Sequence, residues 1–290
     1  MQQLKIDALL QELASYIRAH LPHDRGNKAM RHTLQGVCIE YDDIGDGVPL
    51  LLIHGFMLDR TLWQPQIADL SQIYRVITPD LRGFGESSDT DGKAMTMEQY
   101  AADLKSLLDS VNLKQAVIGG ISMGGYIALA FYAKYADRVK GLILANTRAV
   151  PDSDESRQLR LANARKVGDV GPGFLVKTMA PQMLKSPATA EIKIAVCSMM
   201  MRQRAAGIMS ALRGMALRPD RTALLRNAAV PVLIVSGSQD ALISPGESEA
   251  MHALIPKSRL EIIPGAGHLS NLDEALEFNR VICEFCTQVA

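Results

Sequence analysis

From residue 31 onward, short apolar runs alternate with longer stretches whose apolar residues recur every three or four positions. The short runs predict buried strands and the longer stretches predict amphipathic helices. Strands are expected at Val37–Asp42, Pro49–His54, Arg75–Asp80, Gln115–Gly120 and Gly141–Asn146. Helices are expected between them at Thr61–Ser71, Met97–Val111 and Met123–Tyr135. In the second of these helices, Tyr100, Leu104, Leu107 and Leu108 share one face. Strands that alternate with helices predict a parallel sheet covered on both sides, the α/β class.

The alternation stops at residue 148. Residues 148–229 contain no convincing strand but suit helices at Asp154–Val167, Pro187–Met201 and Arg204–Leu217. Strand signals resume at Val230–Val235 and Arg259–Ile263, with helices at Gly246–Leu254 and from Asp273 onward. The expected organisation is therefore a core of residues 31–147 and 230–290, interrupted by a helical insertion over 148–229. Ahead of the core, Leu9, Leu13, Ile17 and Leu21 recur at four-residue spacing. They predict an amphipathic helix over 3–20, within an extension of residues 1–30 and ended near Pro22.

Composition narrows the class. The chain has 290 residues, 48% hydrophobic and 21% charged, which excludes a disordered, collagen-like or coiled-coil protein. Its 31 basic and 31 acidic side chains cancel, so there is no electrostatic reason to expect nucleic acid as a partner. No window approaches 18 uncharged apolar residues, so no membrane span is expected. Lys5, Asp7, Glu12 and Arg18 interrupt any signal-like run, which makes a cytoplasmic setting the expectation. Cys283 and Cys286 form a lone C-x-x-C on the apolar-periodic stretch 275–289 and read as core cysteines on a helix, with no metal site.

The neutral total hides a division. Residues 148–229 carry 14 Lys and Arg against 6 Asp and Glu, and the remainder carries 17 against 25. The insertion also holds seven methionines, Met179, Met183, Met199, Met200, Met201, Met209 and Met215. A Met-rich segment suits a flexible apolar pocket and a basic one an anionic ligand or acidic carrier, and one or two of Arg202, Arg204, Arg213 and Arg218 are candidates to contact a carboxylate or phosphate. The plainer reading is a helical core whose exposed arginines are solvated or paired with the acidic remainder.

The chemistry concentrates at predicted strand ends. Gly120-Ile-Ser122-Met-Gly124 matches G-x-S-x-G between a strand and a helix, where the turn presents a serine at a helix N-terminus. A serine hydroxyl needs a base. Of six histidines, only His54 and His268 lie at predicted strand C-termini. Asp240 follows the strand ending at Val235, so the order is Ser122, Asp240, His268, as in α/β-hydrolases. Asp80 and Arg82 precede the serine and read as shaping their own loop.

Taken together, the chain from about Glu40 to Phe285 resembles the α/β-hydrolase fold enzymes. The segments that carry the resemblance are His54-Gly-Phe56, Asp80-Leu-Arg-Gly-Phe-Gly-Glu-Ser87, Gly119-Gly-Ile-Ser-Met-Gly-Gly125, Ser236-Gly-Ser-Gln-Asp240 and Gly265-Ala-Gly-His268. The resemblance implies Ser122 as nucleophile, His268 as general base, Asp240 as orienting acid, and the backbone N–H groups of Phe56 and Met123 as the oxyanion hole. His54 would then hold the oxyanion loop. Serine at the elbow, where haloalkane dehalogenases of this fold carry aspartate, favours acyl chemistry. Members using an acid after the preceding strand would carry it near residue 146, which is Asn146 here. After His268 the run Leu-Ser-Asn-Leu-Asp-Glu-Ala-Leu lacks a proline that many relatives have.

Met201–Ile208, Ala211–Asp220 and Ala145-Asn-Thr147 are similar to the 3-oxoadipate enol-lactonase-like and small carboxylesterase branch. The expected function is a cofactor-free serine hydrolase acting on a small-molecule ester or lactone, with no nucleic acid or membrane partner and a homo-oligomer compatible with the sequence. The competing readings are a C–C bond hydrolase or acyltransferase with the same triad, and a ligand receptor on the same fold.

Overall fold

The structure, a computed structural model, describes residues 30–289. The helix expected over 3–20 lies outside the described residues. Eight strands form one sheet: β1 (Met30–Leu34), β2 (Val37–Ile44), β3 (Pro49–Ile53), β4 (Arg75–Pro79), β5 (Ala116–Ile121), β6 (Val139–Ala145), β7 (Val232–Gly237) and β8 (Ser258–Ile263). Their order is β1-β2-β4-β3-β5-β6-β7-β8. β2 runs antiparallel to β1 and β4, and every other pairing is parallel.

The core helices are α1 (Gln64–Leu70), α2 (Met97–Ser110) and α3 (Met123–Lys134). The run Thr61–Ser71 divides into a 3-10 turn at Arg60–Trp63 and α1, because Pro65 starts the α-helix. α2 begins with a capping box between Thr96 and Gln99. The remaining helices are α4 (Asp154–Val170), α5 (Gly173–Met183), α6 (Ala190–Met201), α7 (Ala205–Met215), α8 (Thr222–Arg226), α9 (Pro245–Leu254), α10 (Ser270–Asp273) and α11 (Ala275–Val289).

Two elements depart from the expected pattern. β1 is an edge strand whose side chains are almost all exposed, so it lacks the apolar alternation that marks a buried strand. It joins β2 through Gln35-Gly36, both at positive φ, as a tight hairpin requires. His32 therefore lies within this strand, with its Nε2 2.9 Å from Ser106 Oγ. α5 contains Pro181, which obscures its helical periodicity.

The central strands explain the apolar runs. Leu50–Ile53 and all of β5 and β7 are buried, as strands covered on both faces must be. α3 is buried from Met123 through Tyr132. On α11, Cys286 is buried and Cys283 half-buried, and burial pushes the Cys286 thiol up to about 12. Among the described residues no helix is long and apolar enough to cross a membrane.

Helices α4–α8 all lie between β6 and β7 in the chain, and they rest on loops that leave the C-terminal ends of β3, β4 and β8. α7 meets the loop after β4 backbone to backbone: a Cβ on Gly207 would overlap the Gly83 carbonyl, and one on Gly214 the Met95 carbonyl. Ion pairs join the two halves of the charge division. Arg148 meets Glu247 at 3.1 Å, Lys185 meets Glu274 at 2.6 Å, Arg202 meets Asp59 at 2.6 Å, and Arg221 pairs with Glu98.

Candidate active site

β3, β4, β5, β6, β7 and β8 are mutually parallel, so the residues that follow them gather along one sheet edge. Ser122 follows β5 and precedes α3 with φ 56° and ψ −117°. A side chain rarely occupies this region, and surrounding bonds must hold it there. The Ser122 N–H donates to the Ala145 carbonyl at 2.9 Å, and Thr147 Oγ1 donates to the Ser122 carbonyl at 2.8 Å. The tight turn also needs Gly124, where a Cβ would overlap the Ile53 carbonyl. Ser122 is half-exposed between buried Ile121 and Met123, and it sits at the positive end of α3.

His268 and Asp240 meet in the loops after β8 and β7. His268 Nδ1 lies 2.9 Å from Asp240 Oδ2 and 3.0 Å from Oδ1, with His268 only 1% exposed. The N–H groups of Leu242 and Ile243 each donate to Asp240 Oδ1 at 2.9 Å. Burial by itself would raise the Asp240 carboxyl, but the hydrogen bond and charge of His268, aided by the Ile243 N–H and Asn146 amide, hold it below its ordinary value. The loops approach closely because residue 237 is glycine: a Cβ there would overlap the Gly267 carbonyl.

Asn146, which follows β6, completes this network. Its Nδ2 donates to Asp240 Oδ2 at 2.9 Å and to the Gly267 carbonyl at 3.3 Å. Its Oδ1 accepts from Ser270 Oγ at 2.6 Å. Two acceptors on one side and a hydroxyl donor on the other fix the amide's orientation. In the sequence Asn146 reads as the absence of an acid and as part of the Ala145-Asn-Thr147 similarity, and Ser270 carries no signal of its own.

His54 and Gly55 follow β3. His54 is fully buried, edge-on to Phe84 at 5.5 Å between ring centroids. Its Nε2 accepts from the Leu81 N–H at 3.0 Å, and its Nδ1 lies 2.8 Å from the Gly55 carbonyl. Accepting at Nε2 places the proton on Nδ1 and keeps the ring neutral. Burial lowers its pKa to about 4 against the opposing hydrogen bond to Gly55. The Leu58 N–H also donates to Gly55 O at 3.3 Å. In a trans peptide the C=O and the next N–H point oppositely, so fixing Gly55 O fixes the Phe56 N–H. A Cβ built on Gly55 would lie 3.5 Å from Ser122 Cβ, which places this loop against the elbow.

All four candidate arginines of the insertion have protein partners. Arg202 donates from Nε and Nη2 to the two oxygens of Asp59, each at 2.6 Å. Arg213 donates to the Gly92 carbonyl. Arg204 donates to the Ser87 carbonyl at 2.6 Å, and Arg218 meets Asp152 at 2.7 Å. Arg202, Arg204 and Arg213 tie the inserted helices to loops of the core, whereas the Arg218–Asp152 pair lies within the insertion. Asp80 shapes its own loop, accepting from the N–H groups of Arg60 at 2.7 Å and Glu86 at 2.8 Å. Arg82 instead ties that loop to α2, donating from Nε to Asp103 at 3.0 Å.

The model of the alpha/beta hydrolase family matches residues 50–281. The chain belongs to the α/β hydrolase family. Among solved structures, this hydrolase is similar to a thermophilic esterase from Thermogutta terrifontis with malate bound. The identity is 40%, the TM-score 0.87, and the match covers 90% of this chain and 99% of that one. It is also similar to the enol-lactonase of Burkholderia xenovorans, with 26% identity, TM-score 0.79, and 89% and 100% coverage. Among curated relatives, 3-oxoadipate enol-lactonase 2 of Acinetobacter baylyi is 28% identical over 254 residues, 86% of this chain and 93% of the relative.

Proposed function

We infer that this α/β hydrolase cleaves carboxylic esters, lactones among them, with Ser122 as nucleophile, His268 as general base and acid, and Asp240 as the orienting carboxylate. The observation that carries the reading is the buried Asp240–His268 pair, at 2.9 Å, on the same sheet edge as a serine held at positive φ. The esterase and enol-lactonase relatives support the same substrate class.

With Nδ1 donating to Asp240, His268 has Nε2 left to accept the Ser122 hydroxyl proton. Ser122 Oγ bonds to the substrate carbonyl carbon, and the carbonyl π pair moves onto oxygen. The backbone N–H groups of Met123 and Phe56 stabilise that oxyanion, a contribution worth about 2.7–4 kcal/mol per donor. The proton held on His268 passes to the alkoxide as the ester C–O bond breaks. A water then gives its proton to His268 and attacks the acyl carbon, and His268 returns that proton to Ser122 Oγ as the acyl–Oγ bond breaks and the acid leaves. In a lactone, acid and alcohol leave as one molecule. Helices α4–α8 act as a cap over this edge.

The test is labelling by a fluorophosphonate probe together with turnover of a panel of esters and lactones. Loss of both in Ser122→Ala, with the fold intact, is expected. Undiminished labelling would remove Ser122 from the mechanism. Binding without turnover in the native protein would favour a receptor.

A further inference from the structure

We propose that Asp59, gripped by Arg202 and Gln203 of the inserted helices, is a positioning group for the oxyanion loop. The inserted helices would then help set the catalytic geometry as well as cover it. The inference rests on the reading of Phe56 N–H as an oxyanion donor.

Asp59 lies three residues beyond Phe56 and is only 2% exposed. Its Oδ1 accepts from the Thr61 N–H at 3.1 Å, Thr61 Oγ1 at 2.6 Å and Arg202 Nη2 at 2.6 Å. Its Oδ2 accepts from Arg202 Nε at 2.6 Å and Gln203 Nε2 at 2.8 Å. A buried carboxylate with both oxygens engaged, one of them by a two-pronged guanidinium, has a fixed orientation. Gln203 is itself buried, and its Oε1 accepts the Gly85 N–H at 3.0 Å. The junction therefore joins the loop after β3, the loop after β4 and the end of α6.

The segment it anchors needs holding. Met57 has φ 59°, a conformation unfavourable for a side chain with a Cβ. The turn from Gly55 to Leu58 is closed at its start by His54 and the Leu58 N–H. Its far end is closed by Asp59. If Asp59 relaxed, Met57 could leave its left-handed conformation and the Gly55–Phe56 peptide plane would turn with it. Displacements of about 1 Å at a reacting site can cost on the order of 100-fold in rate. The donor acts on charge that exists only in the transition state, so the loss should fall on kcat rather than KM.

The experiment compares Arg202→Met, Arg202→Lys and Gln203→Leu with the native chain on p-nitrophenyl acetate, with active sites counted by fluorophosphonate titration. Per titrated site, Arg202→Met should lower kcat by about 10- to 100-fold with KM changed less than about threefold. Arg202→Lys should recover part of the loss, and Gln203→Leu should show a smaller fall of the same kind. Unchanged kcat per titrated site, or a loss confined to KM, overturns the proposal. If Arg202→Met folds poorly, the kcat of Arg202→Lys and Gln203→Leu decides alone. Ser122→Ala is measured alongside. If it retains turnover, the catalytic reading fails. If it is inert while the Arg202 variants behave as native, only the positioning role fails.

Discussion

Asn146 donates its side-chain amide to Asp240 Oδ2 at 2.9 Å, the same oxygen that lies 2.9 Å from His268 Nδ1. One carboxylate oxygen is thus shared by the imidazole and by an amide from the neighbouring strand end. Ser270, two residues beyond His268, donates to the other side of that amide at 2.6 Å. The run after His268 that lacks the proline common in relatives therefore supplies a hydroxyl to the network, and it forms the short helix α10 before α11 begins.

Removing the Asn146 amide should loosen the Asp240–His268 pair without breaking it. Asn146→Ala is expected to lower kcat about tenfold and to cost about 1–3 kcal/mol of stability, because buried Ser270 Oγ loses its partner. Asp240→Asn should lower kcat far more, by about 10⁴-fold, through the wrong imidazole tautomer. Steady-state kinetics and urea melts check both. An Asn146→Ala protein with native kcat and native stability would show the amide to be incidental.

His54 makes a pH prediction. Its pKa is about 4 in the folded chain, lowered by burial from an ordinary 6.5. Between those values the unfolded chain binds more protons, so stability rises with pH there. As pH falls from about 6.5 to about 4, roughly 3 kcal/mol should be lost through this group. Urea midpoints followed from pH 7 to 4 should fall less steeply in His54→Gln, and parallel slopes would mean that His54 does not titrate as described.

Gly207 is the point where α7 touches the loop after β4. In Gly207→Ala the new Cβ would overlap the Gly83 carbonyl, and two backbones cannot part without shifting the helix. Lower thermal stability and a raised KM for bulky esters are expected, with a smaller change for acetates. Equal kinetic effects on large and small esters would indicate that the helix does not border the acyl site.

Arg213 should not discriminate substrate charge. Its guanidinium is bonded to the Gly92 carbonyl. Arg213→Gln is expected to change turnover of a neutral ester and of a hemisuccinate ester by the same factor. A loss of more than about tenfold confined to the anionic ester would return Arg213 to the substrate site.

The strand ends were legible because each carries local information. The Gly120–Gly124 turn, the Gly237 contact and the fully apolar runs of β3, β5 and β7 leave signals within a few residues. β1 left none, being exposed on both faces, and α5 was masked by Pro181. The three residues of the proposed triad could be ordered from sequence because each follows a recognisable strand.

Partnership is another matter, because it depends on which loops converge. Residues 148–229 carry an excess of positive charge whatever the fold, and that excess is countable in the chain. That Arg202 meets Asp59 follows from α6 ending beside the loop after β3. That Asn146 holds Asp240, rather than merely standing where an acid is absent, follows from β6 and β7 lying side by side. Local periodicity fixes which residues are buried and where the turns fall. The choice among many carboxylates for one guanidinium is made by distance, and distance exists only once the sheet has assembled.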